Sequence, residues 1–159
     1  MKLKIKKTFR RKHRNTKRHT RRQKGGNSFE VFYQNQKVAG QELSKLTTVS
    51  APLVKFQQTG NMYTLVMWDP DVPPQFQPGW AHWIAINLQS PNDISSKTLL
   101  SYKGPSPPSG THRYFFGLFE QQHSINPQQP IREKFNIDNF IKENNLTEIK
   151  KVFMKVSSI

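Results

Sequence analysis

The chain has 159 residues, no cysteine and a formal net charge of +15 at pH 7. The lack of thiols excludes disulfides, thiolate zinc sites and cysteine nucleophiles. No segment approaches the roughly 18 consecutive apolar residues of a membrane-spanning helix, and residues 1–26 lack the apolar stretch of a secretory signal. We therefore expect a cytoplasmic or nuclear protein that is not secreted and has no membrane span.

Most of the charge lies in a basic N-terminal arm, residues 1–26, which ends in Gly25–Gly26. Residues 1–24 hold 13 of the 25 lysines and arginines and no acidic residue, whereas 12 basic residues face 10 acidic ones from residue 25 onward. With three aliphatic side chains and one phenylalanine, the arm has too little apolar area to offset chain entropy. We predict a disordered arm followed by a nearly neutral domain at 27–159.

The charge density of the arm favours contact with a polyanion. Nucleic-acid binding by phosphate neutralisation and nuclear or nucleolar targeting fit best; a membrane surface fits less well, because the arm has no apolar face to insert. A solvated tail without a partner is the alternative. The predicted polyanion-binding residues are Arg10, Arg11, Lys12, Arg14, Lys17, Arg18, Arg21 and Arg22.

From Phe29 onward the pattern predicts strands separated by turns. MYTLVMW (62–68) and HWIAINL (82–88) are apolar on both faces, apart from Thr64 in the first, as expected of central strands. Gly117 inside RYFFGLF (113–119) predicts a bulge or a close backbone approach. The other predicted strands are 29–34, 36–38, 52–56, 98–102 and 151–156.

One segment has a helical pattern, FNIDNFIKENNL (135–146). Asn136 suits its N-cap, and Ile137, Phe140 and Ile141 recur at helical spacing. Many strands with a single late helix predict a mainly β domain, either an antiparallel β-sandwich or a β-rich α+β domain.

Two proline-rich loops place ionisable groups beside predicted buried strands. In WDPDVPP (68–74), Asp69 and Asp71 are two residues apart and should project to the same side of an extended segment. Pro70 fixes its own φ and restricts the residue before it, so the pair should be held stiffly.

The second loop is GPSPPSGTHRY (104–114). In the strand that it enters, His112 and Tyr114 share one face and Arg113 points to the other. Between the two loops, GWAHW (79–83) supplies His82.

These segments carry a family resemblance. LVMWDPDVP, GWAHWIAINL and GPSPPSGTHRYFFGLFEQ, in this order and spacing, resemble the signature regions of the phosphatidylethanolamine-binding protein family, which includes the Raf kinase inhibitor protein and the plant flowering regulators. The resemblance runs from about Phe29 to the C-terminal VFMKV. It implies an antiparallel β-sandwich with one or two short helices near the C-terminus. It also implies a small pocket for a phosphate-type anion or phosphorylated headgroup, and a protein partner such as a kinase.

The resemblance also implies site residues. His112, the Tyr114 hydroxyl and backbone N–H groups near Gly110 would donate to a phosphate; the carboxylates would lie beside a headgroup ammonium or hold the histidines protonated. Trp80, Trp83 and Phe115 would form walls. Structural support would come from Arg113, as the partner of one aspartate, and from Pro70 and Pro107. The predicted ligand-binding residues are Asp69, Asp71, Trp80, His82, Pro108, Gly110, His112 and Tyr114.

Other interpretations of these residues stay open. The Asp-Pro-Asp segment could be only a rigid turn, and His82 could be a satisfied core histidine. The spacing of the aspartates and histidines fits no metal-ligand pattern, so no metal or cofactor is expected. The sequence has no G-x-S-x-G elbow and no P-loop, and nothing places a Ser–His–acid relay. We therefore predict a binding module and not an enzyme.

The arm has no counterpart in the typical family member, and it resembles arms on proteins of large DNA viruses. The alternative function is therefore a nuclear or virion-associated protein that acts on nucleic acid through the arm, with the domain as a scaffold.

Overall fold

The computed structural model describes residues 28–158. The basic arm, with all of its predicted polyanion-binding residues, lies outside these described residues. No helix within 28–158 is long and apolar enough to cross a membrane. The elements are β1 (Phe29–Tyr33), β2 (Gln36–Lys37), β3 (Leu53–Phe56), β4 (Met62–Asp69), β5 (Trp80–Leu88), β6 (Thr98–Leu100), β7 (Thr111–Gln121), α1 (Ile137–Glu143) and β8 (Leu146–Ser157).

The strands form two antiparallel sheets that pack against each other. One sheet has the order β2-β1-β3 and the other β6-β5-β4-β7-β8. The main core contains side chains from both sheets, among them Val31 of β1, Met67 of β4 and Phe116 of β7. The mainly β fold with antiparallel sheets and one short helix near the C-terminus confirms the predicted fold class.

A second core covers the outer face of the five-stranded sheet. Val66 and Trp68 of β4 pack there with Phe119 of β7 and with Phe140 of α1. β4 is therefore buried on both faces, which confirms the prediction for MYTLVMW. The predicted N-cap is also confirmed, because the Asn136 side chain accepts a 3.0 Å hydrogen bond from the Asn139 N–H.

Two strands are longer than their apolar runs. β7 begins at 111 and β8 at 146, instead of 113 and 151, because backbone pairing between them continues through polar residues. Gly117 makes room for side chains and not for backbone: a Cβ there would lie 2.6 Å from the Phe119 ring and 3.2 Å from that of Trp68. The register shift between β7 and β8 falls one residue later, between Leu118 and Phe119.

Candidate functional site

A cavity of about 340 Å³ lies where β4 ends and where β5 and β7 begin. Antiparallel pairing of β4 with both neighbours brings these three strand ends to the same end of the sheet. Residues that are distant in sequence, such as Asp69 and His112 at 43 positions apart, therefore meet around one cavity. The predicted site residues that line it are Asp69, Trp80, His82, Pro107, Pro108, His112 and Tyr114.

A β-bulge directs His82 into the cavity. Met67 pairs with Trp83 and Trp68 with Ala81, so His82 is an extra residue on β5 with no partner on β4. Its ring lies edge-on to Tyr114, with 5.1 Å between the ring centroids. The bulge thus places His82 beside a side chain of β7, which the period of a regular strand does not predict.

The hydrogen bond of His82 defines what the ring can do. Its Nδ1 lies 2.6 Å from the Lys103 carbonyl oxygen; since a carbonyl only accepts, Nδ1 carries the proton and the neutral ring presents Nε2 as an acceptor. Burial lowers the pKa of His82 to about 4, although the Lys103 hydrogen bond opposes this shift. At neutral pH His82 is therefore an uncharged acceptor.

Asp69 and His112 form a buried pair in the cavity lining. His112 Nδ1 lies 2.7 Å from Asp69 Oδ2, and the two residues are 6% and 3% exposed. Burial raises the pKa of Asp69, partly offset by the hydrogen bonds from His112 and from the Asp71 N–H. The pair leaves His112 Nε2 without a partner among residues 28–158.

Tyr114 lies on the same face of β7 as His112. The two rings are roughly parallel, with centroids 6.4 Å apart. Burial, together with the negative charge of Asp69, raises the pKa of Tyr114 far above its ordinary value. Its hydroxyl is therefore held in the protonated form and can donate a hydrogen bond.

The side chain of Asp71 has different partners from that of Asp69. The Asp71 N–H donates to Asp69 Oδ1 at 2.7 Å, so the chain turns at Pro70 and does not stay extended. Asp71 then accepts two hydrogen bonds from the Arg113 guanidinium, at 2.9 and 2.7 Å. The prediction that the Asp69 and Asp71 carboxylates project to the same side was wrong, because the chain turns between them. Arg113 holds the pKa of Asp71 below its ordinary value and has the predicted role of partner to one aspartate.

Three other predicted residues do not line the cavity. Gly110 has a φ of +64° and its carbonyl accepts from the Ser158 N–H, so it shapes the turn before β7. The prediction that Trp83 and Phe115 form walls of the cavity was also wrong. Trp83 packs in the main core against Tyr102, and Phe115 lies on the outer face of the sheet, because it alternates with Tyr114 along β7.

The cavity has further lining residues that sequence reasoning missed. Phe76, in a short 3-10 turn at Pro74–Phe76, meets the Trp80 ring edge-on with centroids 5.6 Å apart. Lys103 lies opposite, with Nζ 5.2 Å from the Trp80 centroid. No local pattern marks either residue; only their proximity to the proline-rich loops could have suggested them. The missed lining residues are Val72, Pro73, Phe76, Lys103, Gly104 and Ser106.

Gly104 allows the second proline-rich loop to sit close to the domain. A Cβ at this position would lie 2.7 Å from the Thr48 carbonyl oxygen, which only glycine avoids. The same oxygen accepts a 2.6 Å hydrogen bond from the Tyr102 hydroxyl. Donation to a phosphate by backbone N–H groups near Gly110 stays a prediction. Within residues 28–158, no group of three His, Asp or Glu side chains is arranged to hold a metal ion.

Comparison with known proteins agrees with this architecture. The family model for phosphatidylethanolamine-binding protein matches residues 30–153. TERMINAL FLOWER 1 of Arabidopsis thaliana is 36% identical over 125 residues, which cover 73% of this chain and 71% of the plant protein. CENTRORADIALIS of Antirrhinum majus is 35% identical over 117 residues, which cover 67% of this chain and 65% of that protein.

Solved structures share the fold. The carboxypeptidase Y inhibitor, in complex with its cognate proteinase, superposes with a TM-score of 0.73 at 23% identity, covering 84% of each chain. A phosphatidylethanolamine-binding protein from Plasmodium vivax gives 0.66 at 24% identity, covering 84% of this chain and 86% of the other. The family match spans both proline-rich loops and every strand that lines the cavity. The chain therefore belongs to the phosphatidylethanolamine-binding protein family.

Proposed function

We propose that the cavity binds the phosphate group of a phosphorylated small molecule or of a phospholipid headgroup. The observation that carries this proposal is the buried Asp69–His112 pair, because both residues line the cavity together with Tyr114 and His112 Nε2 has no partner among residues 28–158. A protonated imidazole donates from both nitrogens. With Nδ1 bonded to Asp69, a His112 that is protonated in the complex would donate from Nε2 to a phosphate oxygen, and such charge-assisted hydrogen bonds are strong in a partly desolvated site.

His82 and Tyr114 would complete the polar lining with different roles. The Tyr114 hydroxyl donates, whereas the neutral His82 presents an acceptor nitrogen. His82 therefore suits a hydroxyl group of the ligand and not a bare phosphate oxygen. Val72 and Phe76, with Trp80, offer apolar surface for the carbon part of the ligand.

We further propose a binding and regulatory role without catalysis, acting on a protein partner such as a kinase. The resemblance to the Raf kinase inhibitor protein suggests this class of partner. Within residues 28–158, no serine or threonine hydroxyl is hydrogen-bonded to His82 or His112, as an activated nucleophile would require.

The phosphate proposal predicts a ligand-dependent rise in stability. At a hundred times its dissociation constant, ethyl phosphate should add about 2.7 kcal/mol to the free energy of unfolding of the full chain. His112→Ala should abolish this gain, relative to the variant's own ligand-free baseline. The measurement is thermal unfolding over a concentration series of ethyl phosphate.

His123→Ala is the matched control, because His123 is exposed and lies outside the cavity. It should retain the full gain. Equal gains in the wild type and in His112→Ala would instead assign the binding to another part of the chain, such as the basic arm, and would contradict the proposal.

A second function is favoured by the sequence of the arm, with 13 lysines and arginines among its first 24 residues. In this case the protein binds nucleic acid and the domain is a scaffold. Affinity for a DNA duplex should fall linearly on a log–log plot against salt, with a slope of about −0.9 for each phosphate neutralised. Fluorescence anisotropy of full-length and 27–159 protein would measure it. A slope that does not change on deletion of the arm would argue against this function.

A further inference from the structure

Lys103 is an exposed residue at the lining of the cavity, and its backbone is fixed there. Its N–H donates to the His82 carbonyl at 2.9 Å, and its own carbonyl accepts from His82 Nδ1 at 2.6 Å. These reciprocal hydrogen bonds hold the lysine beside the bulge of β5. The side chain then extends over Trp80, with Nζ 5.2 Å from the ring centroid.

The other ionisable groups of the cavity lining are paired or uncharged. Asp69 is paired with His112, burial keeps His82 neutral by lowering its pKa to about 4, and Tyr114 keeps its proton. Lys103 forms no salt bridge with any carboxylate of residues 28–158. Lys103 is therefore the one lysine or arginine of the cavity lining, and it has no carboxylate partner among residues 28–158.

The Trp80 ring is also where an ammonium group of a ligand would bind. Indole is the strongest cation–π partner among the side chains, and one edge of this ring is already covered by Phe76. Lys103 occupies the ring with a charge of the same sign as a ligand ammonium. It would repel an ammonium-bearing headgroup and attract a second negative charge on a phosphate.

We propose that Lys103 determines specificity, so that the cavity prefers a dianionic phosphomonoester without an ammonium group over a zwitterionic headgroup such as phosphoethanolamine. This inference rests on the proposed phosphate-binding function and specifies its ligand class. A phosphomonoester has a second pKa of about 6 and is dianionic at pH 7.5. Its two charges would be met by Lys103 together with His112.

The test compares ethyl phosphate with phosphoethanolamine, which differ by the terminal ammonium. Calorimetric titration of the full chain at pH 7.5 should give a preference of about tenfold for ethyl phosphate, because both compounds carry the same phosphate and only phosphoethanolamine brings a second ammonium group close to Lys103. Lys103→Met, which removes the charge of the side chain, should weaken ethyl phosphate more than phosphoethanolamine and so remove the preference. Lys103→Glu should reverse the preference.

Lys55→Met is the matched control, because Lys55 also lies over an aromatic ring, 5.0 Å from the Phe32 centroid, but does not line the cavity. It should leave both affinities unchanged. A wild type that prefers phosphoethanolamine, or a Lys103→Met that keeps the wild-type preference, would overturn the role of Lys103 while phosphate binding stands. Binding of neither compound would overturn both proposals.

Discussion

Replacing Asp69 with leucine is expected to lower the free energy of unfolding by about 3 to 5 kcal/mol, because the change breaks a buried pair. It leaves His112 Nδ1 and the Asp71 N–H without their acceptor in a site where the two paired residues are 3% and 6% exposed. A buried donor that loses its partner retains the full desolvation penalty. Urea unfolding of the full chain at pH 7 would measure the loss.

The ion pair between Asp71 and Arg113 provides a control close to Asp69. The side chains of Arg113 and Asp71 are 51% and 26% exposed, so water can replace the lost contacts and Asp71→Leu should cost about 1 kcal/mol. The double variant Asp69→Leu/His112→Leu should cost less than its two single changes combined, because neither member of the pair is then left without its partner and only the Asp71 N–H loses its acceptor. Equal losses for Asp69→Leu and Asp71→Leu would show that burial does not distinguish the two pairs.

The second large effect is a loss of stability in mild acid that depends on His82. Its pKa is about 4 in the folded protein and 6.5 as the ordinary value, so between these values the unfolded chain binds more protons. The free energy of unfolding therefore falls as the pH drops from 6.5 to about 4. The full contribution is about 3 kcal/mol, at 1.36 kcal/mol per pKa unit.

The measurement is the difference in the free energy of unfolding between the wild type and His82→Asn. The asparagine amide can still donate to the Lys103 carbonyl but does not titrate. The difference is needed because Asp69 acts in the opposite direction. Its raised pKa makes protonation of Asp69 favour the folded state as the pH falls. Urea unfolding at several pH values between 7 and 4 gives the free energy of unfolding of each protein as a function of pH. The two curves should diverge as the pH falls. Parallel curves would mean that His82 is not held neutral by burial.

Several features of the site follow from local sequence alone. The alternation of His112, Arg113 and Tyr114 between two faces is set by the two-residue period of a strand, and the structure shows His112 and Tyr114 buried and Arg113 exposed. The N-cap at Asn136 is likewise a local hydrogen bond. The burial of MYTLVMW on both faces was predicted correctly because a short apolar run without alternation, rich in β-branched and aromatic residues, is typical of a strand that is covered on both faces.

The choice of partners depended on tertiary structure. Asp69 and Asp71 are equivalent in the sequence pattern, and only the turn at Pro70 and the approach of β7 decide that one pairs with His112 and the other with Arg113. Such contacts join residues more than 40 positions apart, where local propensity carries no information.

The sequence by itself therefore determined which side chains lie on the same face of a strand and which loops are stiff. Only the tertiary structure decided which of these side chains meet. The bulge at His82 depends on the pairing of β5 with β4, and the placement of Lys103 over Trp80 depends on how the second loop folds back across β5. The bulge and the position of Lys103 both result from packing between segments that are distant in sequence. Together they determine which ionisable side chains border the cavity.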